Sequence, residues 1–188
     1  MTYTISTAER DNRRETFQLI RDKSFMRAAV KLSSGQESSF YFNMKPTMLD
    51  PVGSRMLAEM IFSCLPNSRV DFVGGLELGA VPLIGPLVML SGLKGRPIPG
   101  LIVRKQAKDH GTRSLIEGAC DLRDRNVVVV DDVATTGESA VRSIRALREA
   151  GATVNLVISI LDREEGASEL YRREGIEFVP LFKASEFL

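Results

Sequence analysis

The stretch "NVVVVDDVATTGES", Asn126 to Ser139, places two adjacent carboxylates between a run of four valines and a short turn rich in hydroxyl groups. The valines show no alternation of polar and apolar residues, which is typical of a strand covered on both faces, as in a parallel sheet. We predict that the chain leaves the core at Asp131 and Asp132. Adjacent like charges repel and one cap would suffice for a helix, so this acid pair is expected to serve partner groups rather than the fold.

The residues after the acid pair predict an anion site. Ala134 to Ser139 form a compact turn, and a helix follows with Val141, Ile144 and Leu147 on one stripe and Gly151 as its stop. The first-turn amides of such a helix have no partners within the helix, its dipole is positive there, and the hydroxyls reach the same oxygens. The site fits a phosphate, and the carboxylates beside it suit sugar hydroxyls. A sugar phosphate would satisfy both.

Each residue of this motif also has a simpler explanation. Asp132 alone is explained equally well as a strand-end cap, and Thr135 to Ser139 as an ordinary helix start. The coincidence of acid pair, small turn and helix stripe favours a ligand.

The bulk composition indicates a globular chain with a core of its own. The chain has 188 residues, 44% of them hydrophobic. Lysine and arginine total 25 against 24 aspartate and glutamate, and a net charge of +1 predicts neither a nucleic-acid nor a membrane partner. Only Cys64 and Cys120 are present, without metal-ligand spacing and with a single histidine. A zinc cluster is therefore not expected. We expect both cysteines to be reduced thiols in the cytoplasm.

Neither a signal peptide nor a membrane span is expected. The first twenty residues carry charges where a signal peptide needs an apolar core. The most apolar region, Leu76 to Leu93, is interrupted by Glu77, Pro82, Gly85 and Pro86. The sequence therefore predicts a protein that does not span a membrane.

The order of apolar segments predicts an α/β protein with a mostly parallel central sheet flanked by helices. A polar helix at about residues 7–22 and two short strands around a Ser-Gly turn form an amino-terminal hood over about residues 1–48. Over about residues 49–188, helices alternate with hydrophobic strands. We expect a single domain over residues 1–188, made of this hood and an α/β core.

A basic arm follows the strand "LIVRK". Arg104, Lys105, Lys108 and the single histidine, His110, lie within seven positions, and the longest expected loop, 106–125, contains the last two. Long loops in compact domains are often functional lids, and ligands of open α/β sheets bind beyond the carboxyl ends of the strands. A solvated basic loop would also explain these residues. Beside a phosphate site, they predict a mobile cationic arm that closes over a polyphosphate.

Three further segments carry weaker signals. "VGGLELGAVP", 73–82, is a strand that ends in glycines, so its backbone amides approach an anion or serve packing alone. "SSFYFN" holds Phe40, Tyr41 and Phe42, and aromatic residues in a strand more often belong to the core than to a base-stacking surface. Arg163 at a strand end suits a planar carboxylate ligand and equally a surface ion pair.

The segment "VVVVDDVATTGES" resembles the signature of the type I phosphoribosyltransferases, which bind 5-phosphoribosyl 1-diphosphate, called the donor below. "RKQAKDHG" is similar to the catalytic-loop motif of the orotate phosphoribosyltransferase family, and "SSFYFN" and "LDREEGA" occur in matching order. This likeness extends over nearly the whole chain. It implies the type I phosphoribosyltransferase fold with a small amino-terminal hood. It also implies Mg²⁺-dependent transfer of phosphoribosyl to orotate, giving orotidine 5′-phosphate and diphosphate in pyrimidine synthesis.

The resemblance implies a role for each segment of the donor site. The acid pair would contact the ribose hydroxyls, the turn after it the 5′-phosphate, and the turn from Gly75 to Gly79 the diphosphate. The implied donor-binding residues are Asp131, Asp132, Ala134, Thr135, Thr136, Gly137, Glu138, Ser139, Gly75, Glu77, Leu78 and Gly79. The Mg²⁺ ion would be held mainly by the substrates, with no direct protein ligand and with Asp131 and Asp132 nearby.

The remaining roles concern the arm and the base. The implied catalytic residues, which grip the diphosphate, are Lys108, His110, Arg104 and Lys105. In the family this loop reaches into the neighbouring subunit's site, which implies a homodimer. The implied orotate-binding residues are Tyr41, Phe42, Thr135 and Arg163.

The chain departs from the family pattern at two positions, and other functions stay open. Ser33 and Leu78 stand where the family often has lysine, and Lys31 and Lys45 are the candidate replacements. The alternatives are a phosphoribosyltransferase for another base, such as uracil or a purine, and a non-catalytic regulator with the same fold. A phospho-receiver module is a third, although its acid pair would follow the first strand of the sheet.

Overall fold

The computed structural model of the protein describes residues 7–31, 37–106, 115–118 and 121–188. Six helices lie in these ranges: α1 Thr7–Lys23, α2 Lys45–Met48, α3 Pro51–Cys64, α4 Val81–Leu93, α5 Glu138–Glu149 and α6 Ala167–Arg173. The strands of the same ranges are β1 Phe25–Lys31, β2 Glu37–Phe42, β3 Phe72–Leu76, β4 Gly100–Val103, β5 Ile116–Glu117, β6 Asn126–Ala134, β7 Thr153–Asp162 and β8 Glu177–Lys183. A 3₁₀ turn, Ala184–Glu186, follows the last strand.

The main sheet has the strand order β5-β4-β3-β6-β7-β8. Neighbouring strands of this sheet pair in parallel, except that β4 and β5 pair antiparallel. The valines of β6 are buried on both faces: Val128 and Val130 pack in the core that α3 and α4 cover, and Val127 and Val129 in the core that α5 covers. The predicted α/β architecture with a mostly parallel sheet flanked by helices is therefore confirmed. Because β6 is central, its carboxyl end lies in the middle of one edge of the sheet.

The amino-terminal hood consists of α1 and the antiparallel pair β1 and β2, as the sequence predicts. Phe42 of β2 packs its ring against Phe25 and against Phe187 near the end of the chain, with ring centroids 5.0 and 5.3 Å apart. Arg13 of α1 forms an ion pair with Glu186 at 2.6 Å. The hood thus shares one hydrophobic core with the last strand of the sheet.

The strand of the acid pair is longer than the sequence predicts. The expectation that the chain leaves the core at Asp131 is wrong, because β7 runs beside β6 as far as the pairs Val133 with Leu161 and Ala134 with Asp162. The turn after the strand is accordingly shorter, covering residues 135–137. The short elements α2 and β5 were not predicted, since four and two residues are too few to show a periodic pattern.

The apolar region after β3 forms α4, which carries Pro86 in its interior. Leu83, Ile84 and Leu87 of this helix are buried against the sheet. Within the described part of the chain, no helix combines the length and the apolarity that crossing a bilayer requires.

Candidate active site

The acid pair lies near the carboxyl end of β6, and its two carboxylates face the turn after β3. Asp131 is only 5% exposed, whereas Asp132 is half-buried. Asp131 Oδ1 accepts a hydrogen bond from the Asp132 backbone amide at 3.2 Å, and Asp132 Oδ1 accepts one from the Val133 amide at 2.9 Å. A Cβ atom at Gly79 would lie 2.7 Å from Asp132 Oδ1 and 3.1 Å from Asp131 Oδ1. Glycine at this position therefore lets the turn approach both carboxylates.

Burial affects the protonation of Asp131. Burial and, second to it, the neighbouring charge of Asp132 raise the pKa of Asp131 to about 8, although the Asp132 amide opposes the shift. The Asp131 carboxyl therefore holds a proton at neutral pH in the ligand-free protein. A cation or a set of hydroxyl donors placed beside it would favour the ionised form.

We expect Asp131→Asn to stabilise the fold. The folded pKa of about 8 exceeds the ordinary value of 3.8, so the folded state binds more protons than the unfolded state between these values. The free energy of unfolding of the unmodified protein should fall as the pH rises from about 4 to about 8. The amide has no charge to desolvate, so the variant should be more stable by on the order of 2 kcal/mol at neutral pH, with a flatter pH dependence. Urea unfolding of both proteins across this pH range measures the stability difference and its pH dependence. If the unmodified protein gained stability with rising pH while the variant did not, the raised pKa of Asp131 would be contradicted.

The phosphate turn, residues 135–137, connects β6 to α5. Thr136, Glu138 and Ser139 are exposed, and Thr135 is half-buried. Gly137 has a φ of 86° and stands at the helix start, where it has no side chain to cap the first turn of α5. The first-turn amides of this helix are thus left to a ligand or to water. The turn combines the unpaired amides and hydroxyls that a phosphate requires.

The ring of Tyr171, in α6, packs against Gly137 of the phosphate turn. A Cβ atom at Gly137 would lie 2.9 Å from Cε1 and 3.0 Å from Cζ of this ring. Tyr171 is fully buried, and its hydroxyl finds no hydrogen-bond partner among the described residues. Burial and then the charges of Asp131 and Asp162 raise its pKa. Sequence reasoning missed Tyr171, because no motif distinguishes a single tyrosine on a short helix.

Gly137→Ala should therefore destabilise the protein by more than positive φ alone explains. The matched control is Gly166→Ala, since Gly166 has a φ of 109° and also precedes a helix, but an added Cβ there has no neighbour within 4 Å. We expect Gly137→Ala to cost about 1–2 kcal/mol more free energy of unfolding than the control, because the methyl group displaces the Tyr171 ring. Urea unfolding of both variants measures the difference. Equal losses would show that the ring does not constrain the turn.

The turn after β3 lies beside Arg104 and Lys105, which form the start of the basic arm and are called its foot. Glu77 Oε1 accepts a hydrogen bond from the Lys105 amide at 2.9 Å. The Arg104 amide donates to the Leu115 carbonyl at 2.8 Å, which closes the foot of the arm where β4 and β5 pair. Leu78 in the same turn is 66% exposed. The structure thus brings the predicted diphosphate turn to two of the four predicted cations.

The other two cations cannot be placed. Lys108 and His110 lie outside the described residues, as does Ser33. Their roles stay predictions.

The predicted base-binding residues occupy two different environments. Phe42 is 5% exposed within the aromatic core of the hood, while Tyr41 beside it in β2 is 39% exposed. Arg163 is almost fully buried, and its guanidinium lies over the ring of Phe40, 4.8 Å from the ring centroid. Arg163 Nε and one terminal nitrogen also donate to Glu165 Oε1 at 2.9 and 2.7 Å. Arg163 therefore links the hood to the end of β7.

The chemistry of the acid pair fits a divalent cation. Among the described residues, no three or more histidine, cysteine, aspartate or glutamate side chains come together as a metal-binding group. The acid pair presents carboxylate oxygens, the ligand type that Mg²⁺ prefers.

The comparisons with known proteins identify the family of the chain. Residues 51–179 match the model of the phosphoribosyl transferase domain family. The orotate phosphoribosyltransferase of Bradyrhizobium diazoefficiens is 49% identical over 180 residues, covering 94% of this chain and 96% of that protein.

Solved structures show the same likeness. The Mycobacterium tuberculosis orotate phosphoribosyltransferase in complex with Fe(III) dicitrate superposes with a TM-score of 0.82 at 32% identity, covering 94% of this chain and 98% of that one. The same enzyme in complex with 5-phospho-α-D-ribosyl 1-diphosphate gives a TM-score of 0.78 at 31% identity and the same coverage, 94% and 98%. With its acid pair, phosphate turn and basic arm, the chain belongs to the orotate phosphoribosyltransferase family.

Proposed function

We propose that this protein transfers the phosphoribosyl group of 5-phosphoribosyl 1-diphosphate to orotate, forming orotidine 5′-phosphate and diphosphate. The observation that carries the proposal is the meeting of three features at one edge of the sheet: the acid pair, the uncapped start of α5, and the foot of the basic arm held by Glu77. The identity with orotate phosphoribosyltransferases over nearly the whole chain supports orotate as the acceptor.

The donor binds along the carboxyl ends of β3 and β6. Its 5′-phosphate accepts hydrogen bonds from the first-turn amides of α5 and from the hydroxyls of residues 135–139, and the acid pair accepts hydrogen bonds from the ribose hydroxyls. The donor-binding residues are those that the sequence predicts: Gly75, Glu77, Leu78, Gly79, Asp131, Asp132, Ala134, Thr135, Thr136, Gly137, Glu138 and Ser139.

Catalysis follows from charge development at two ends of one bond. The bond between ribose C1 and the diphosphate oxygen breaks with its electron pair on the leaving group, while the orotate ring nitrogen, entering as an anion, forms the new bond to C1. Arg104, Lys105, Lys108 and His110 stabilise the negative charge that grows on the diphosphate. Mg²⁺, held mainly by the substrates beside the acid pair, would neutralise part of the same charge. No general base is needed, so positioning and electrostatics supply the rate.

The acceptor lies under the hood. In this proposal Tyr41, Phe42 and Thr135 contact the base, and Arg163 binds the orotate carboxylate. The position of Arg163 between Phe40 and Glu165 supports a role at the boundary of hood and core, where a planar carboxylate would replace Glu165 as its partner.

A substrate comparison tests the choice of base. Diphosphate release from the donor, measured with Mg²⁺ and with orotate, uracil or a purine base in turn, should depend on orotate. Release with uracil or a purine instead would leave the donor site intact and assign the protein to another base. Donor binding without release in the presence of any base would make it a non-catalytic regulator.

We also propose a homodimer in which the arm of each subunit completes the other subunit's site. The hood at about residues 1–48 and the core at about residues 49–188 act as one domain, which their shared core supports. A cytoplasmic location is part of the same proposal, and the low cysteine content of two in 188 residues supports it.

Mixing two inactive variants tests this exchange. Lys108→Ala removes an arm cation and Asp132→Asn damages the donor site, so each homodimer should be nearly inactive. A mixed dimer with crossed arms contains one site that has neither change. Co-refolding the two variants in equal amounts should therefore restore about a quarter of the unmodified activity, by the statistics of one intact site in half of the dimers. Activity no higher than the average of the two variants would show that each arm serves its own subunit.

A further inference from the structure

The backbone of Lys105 is held on both sides by side chains from two other segments. Its amide donates to Glu77 Oε1 at 2.9 Å, and its carbonyl accepts a hydrogen bond from an Arg142 terminal nitrogen at 3.2 Å. Glu77 belongs to the turn after β3, and Arg142 to the second turn of α5. One residue of the arm is therefore tied to both of the segments that are expected to bind the donor.

The bond from Arg142 is of a kind that fixes direction. A guanidinium donates from a planar group with fixed hydrogen positions, and a hydrogen bond from a charged donor is stronger than one between neutral groups. Because Glu77 and Arg142 grip the two peptide groups that flank the Lys105 Cα, rotation of the Lys105 backbone breaks at least one of the two bonds. The starting direction of the Lys105 side chain is thereby set.

Within the described residues, the Arg142 guanidinium makes no ion pair and no hydrogen bond other than the one to the Lys105 carbonyl. Arg142 is exposed and borders a surface cavity of about 510 Å³ that Thr136 and Glu138 also line, so its side chain is not part of the core. Arg145, one turn further along α5, instead forms an ion pair with Glu174 of α6 at 2.9 Å. Arg142 and Arg145 are therefore a matched pair on one helix, of which only Arg142 reaches the arm in the described structure.

We propose that Arg142 is a positioning residue that, by holding the Lys105 carbonyl, sets the direction in which Lys105 leaves its own subunit toward the donor diphosphate, which in the proposed homodimer lies in the other subunit's site. This inference rests on the proposed function, because the diphosphate is the group that Lys105 meets. In this proposal Arg142 acts on the reaction through Lys105.

Two readouts test the proposal, and one of them needs no activity. In Arg142→Met, the Lys105 carbonyl loses its donor, so trypsin should cleave the Lys105–Gln106 bond several times faster in the substrate-free protein, as measured by mass spectrometry of the peptide that ends in Lys105. The same variant should lower kcat about tenfold, because a displaced cation stabilises the transition state less, while the equilibrium dissociation constant of the donor changes less than about threefold.

Two matched variants complete the experiment. Arg145→Met removes the same guanidinium from the next turn and should leave both the cleavage rate and kcat unchanged. Arg142→Lys keeps a cationic donor and should recover part of kcat. The proposal is overturned if Arg142→Met keeps a kcat within twofold of the unmodified protein, or if Arg145→Met matches its effects. Failure of the proposed function looks different, since the unmodified protein would then have no orotate-dependent activity while the cleavage rates remained measurable.

Discussion

Lys108→Ala is expected to lower kcat by about 10²–10³-fold while the affinity for the donor changes little. The partner of this lysine is charge that appears on the diphosphate mainly as the bond to C1 breaks, so the lysine stabilises the transition state more than the ground state. Steady-state kinetics together with equilibrium binding of the donor separate the two effects.

The control is Lys94→Ala, since Lys94 lies exposed at the far end of α4. It should match the unmodified protein in both measurements. A collapse of donor affinity in Lys108→Ala with kcat intact would show that this lysine binds the ground state and is not a catalytic group.

Asp132→Asn should lower kcat/KM for the donor by about 10²-fold, because hydrogen bonds from the ribose hydroxyls to a charged acceptor are replaced by bonds to a neutral one. The fold should survive, since an asparagine oxygen still accepts the hydrogen bond that the Val133 amide gives to Asp132 Oδ1. Kinetics at varied donor concentration measure the loss.

Asp121→Asn is the matched control for this change. Asp121 is an exposed carboxylate whose partner is Arg123 at 2.8 Å, away from the acid pair in the chain. It should leave kcat/KM unaltered. If Asp132→Asn also kept its rate, the proposed contact with the ribose would be wrong.

Asp131 of the acid pair is unfavourable for the stability of the fold. The raised pKa of Asp131 means that the ionised form destabilises the folded protein, and a donor that supplies hydroxyls and a cation offsets this cost. Asp131→Asn is accordingly expected to gain stability and to lose donor binding. A gain in stability together with a loss of donor binding would support the proposed role of Asp131 at the donor.

The sequence predicted the sheet, with the acid pair on a central strand and a helix after it, because these features depend on local patterns. The valine run identifies β6, the acid pair after it is visible as a motif, and the helix stripe from Val141 to Leu147 identifies α5. All three signals lie within residues 127–147. The match of residues 51–179 to the family of the phosphoribosyl transferase domain covers the same region.

The remaining features depend on contacts between distant segments. Nothing near Tyr171 in the sequence indicates that its ring lies under Gly137, and nothing near Arg142 indicates that it reaches Lys105, 37 positions away. The length of β6 is likewise set by its partner strand β7, which continues to Asp162. Such pairings follow from the topology of the sheet, and a local pattern does not encode them.

The most direct test of the account is the loss of orotate's ultraviolet absorbance when the purified protein is mixed with orotate, the donor and Mg²⁺. The account predicts a rapid loss that requires the donor and Mg²⁺, with orotidine 5′-phosphate as the product. No loss of absorbance from a folded protein that still binds the donor would contradict it. The site around Asp131 and Asp132 would then bind the donor without transferring it to orotate.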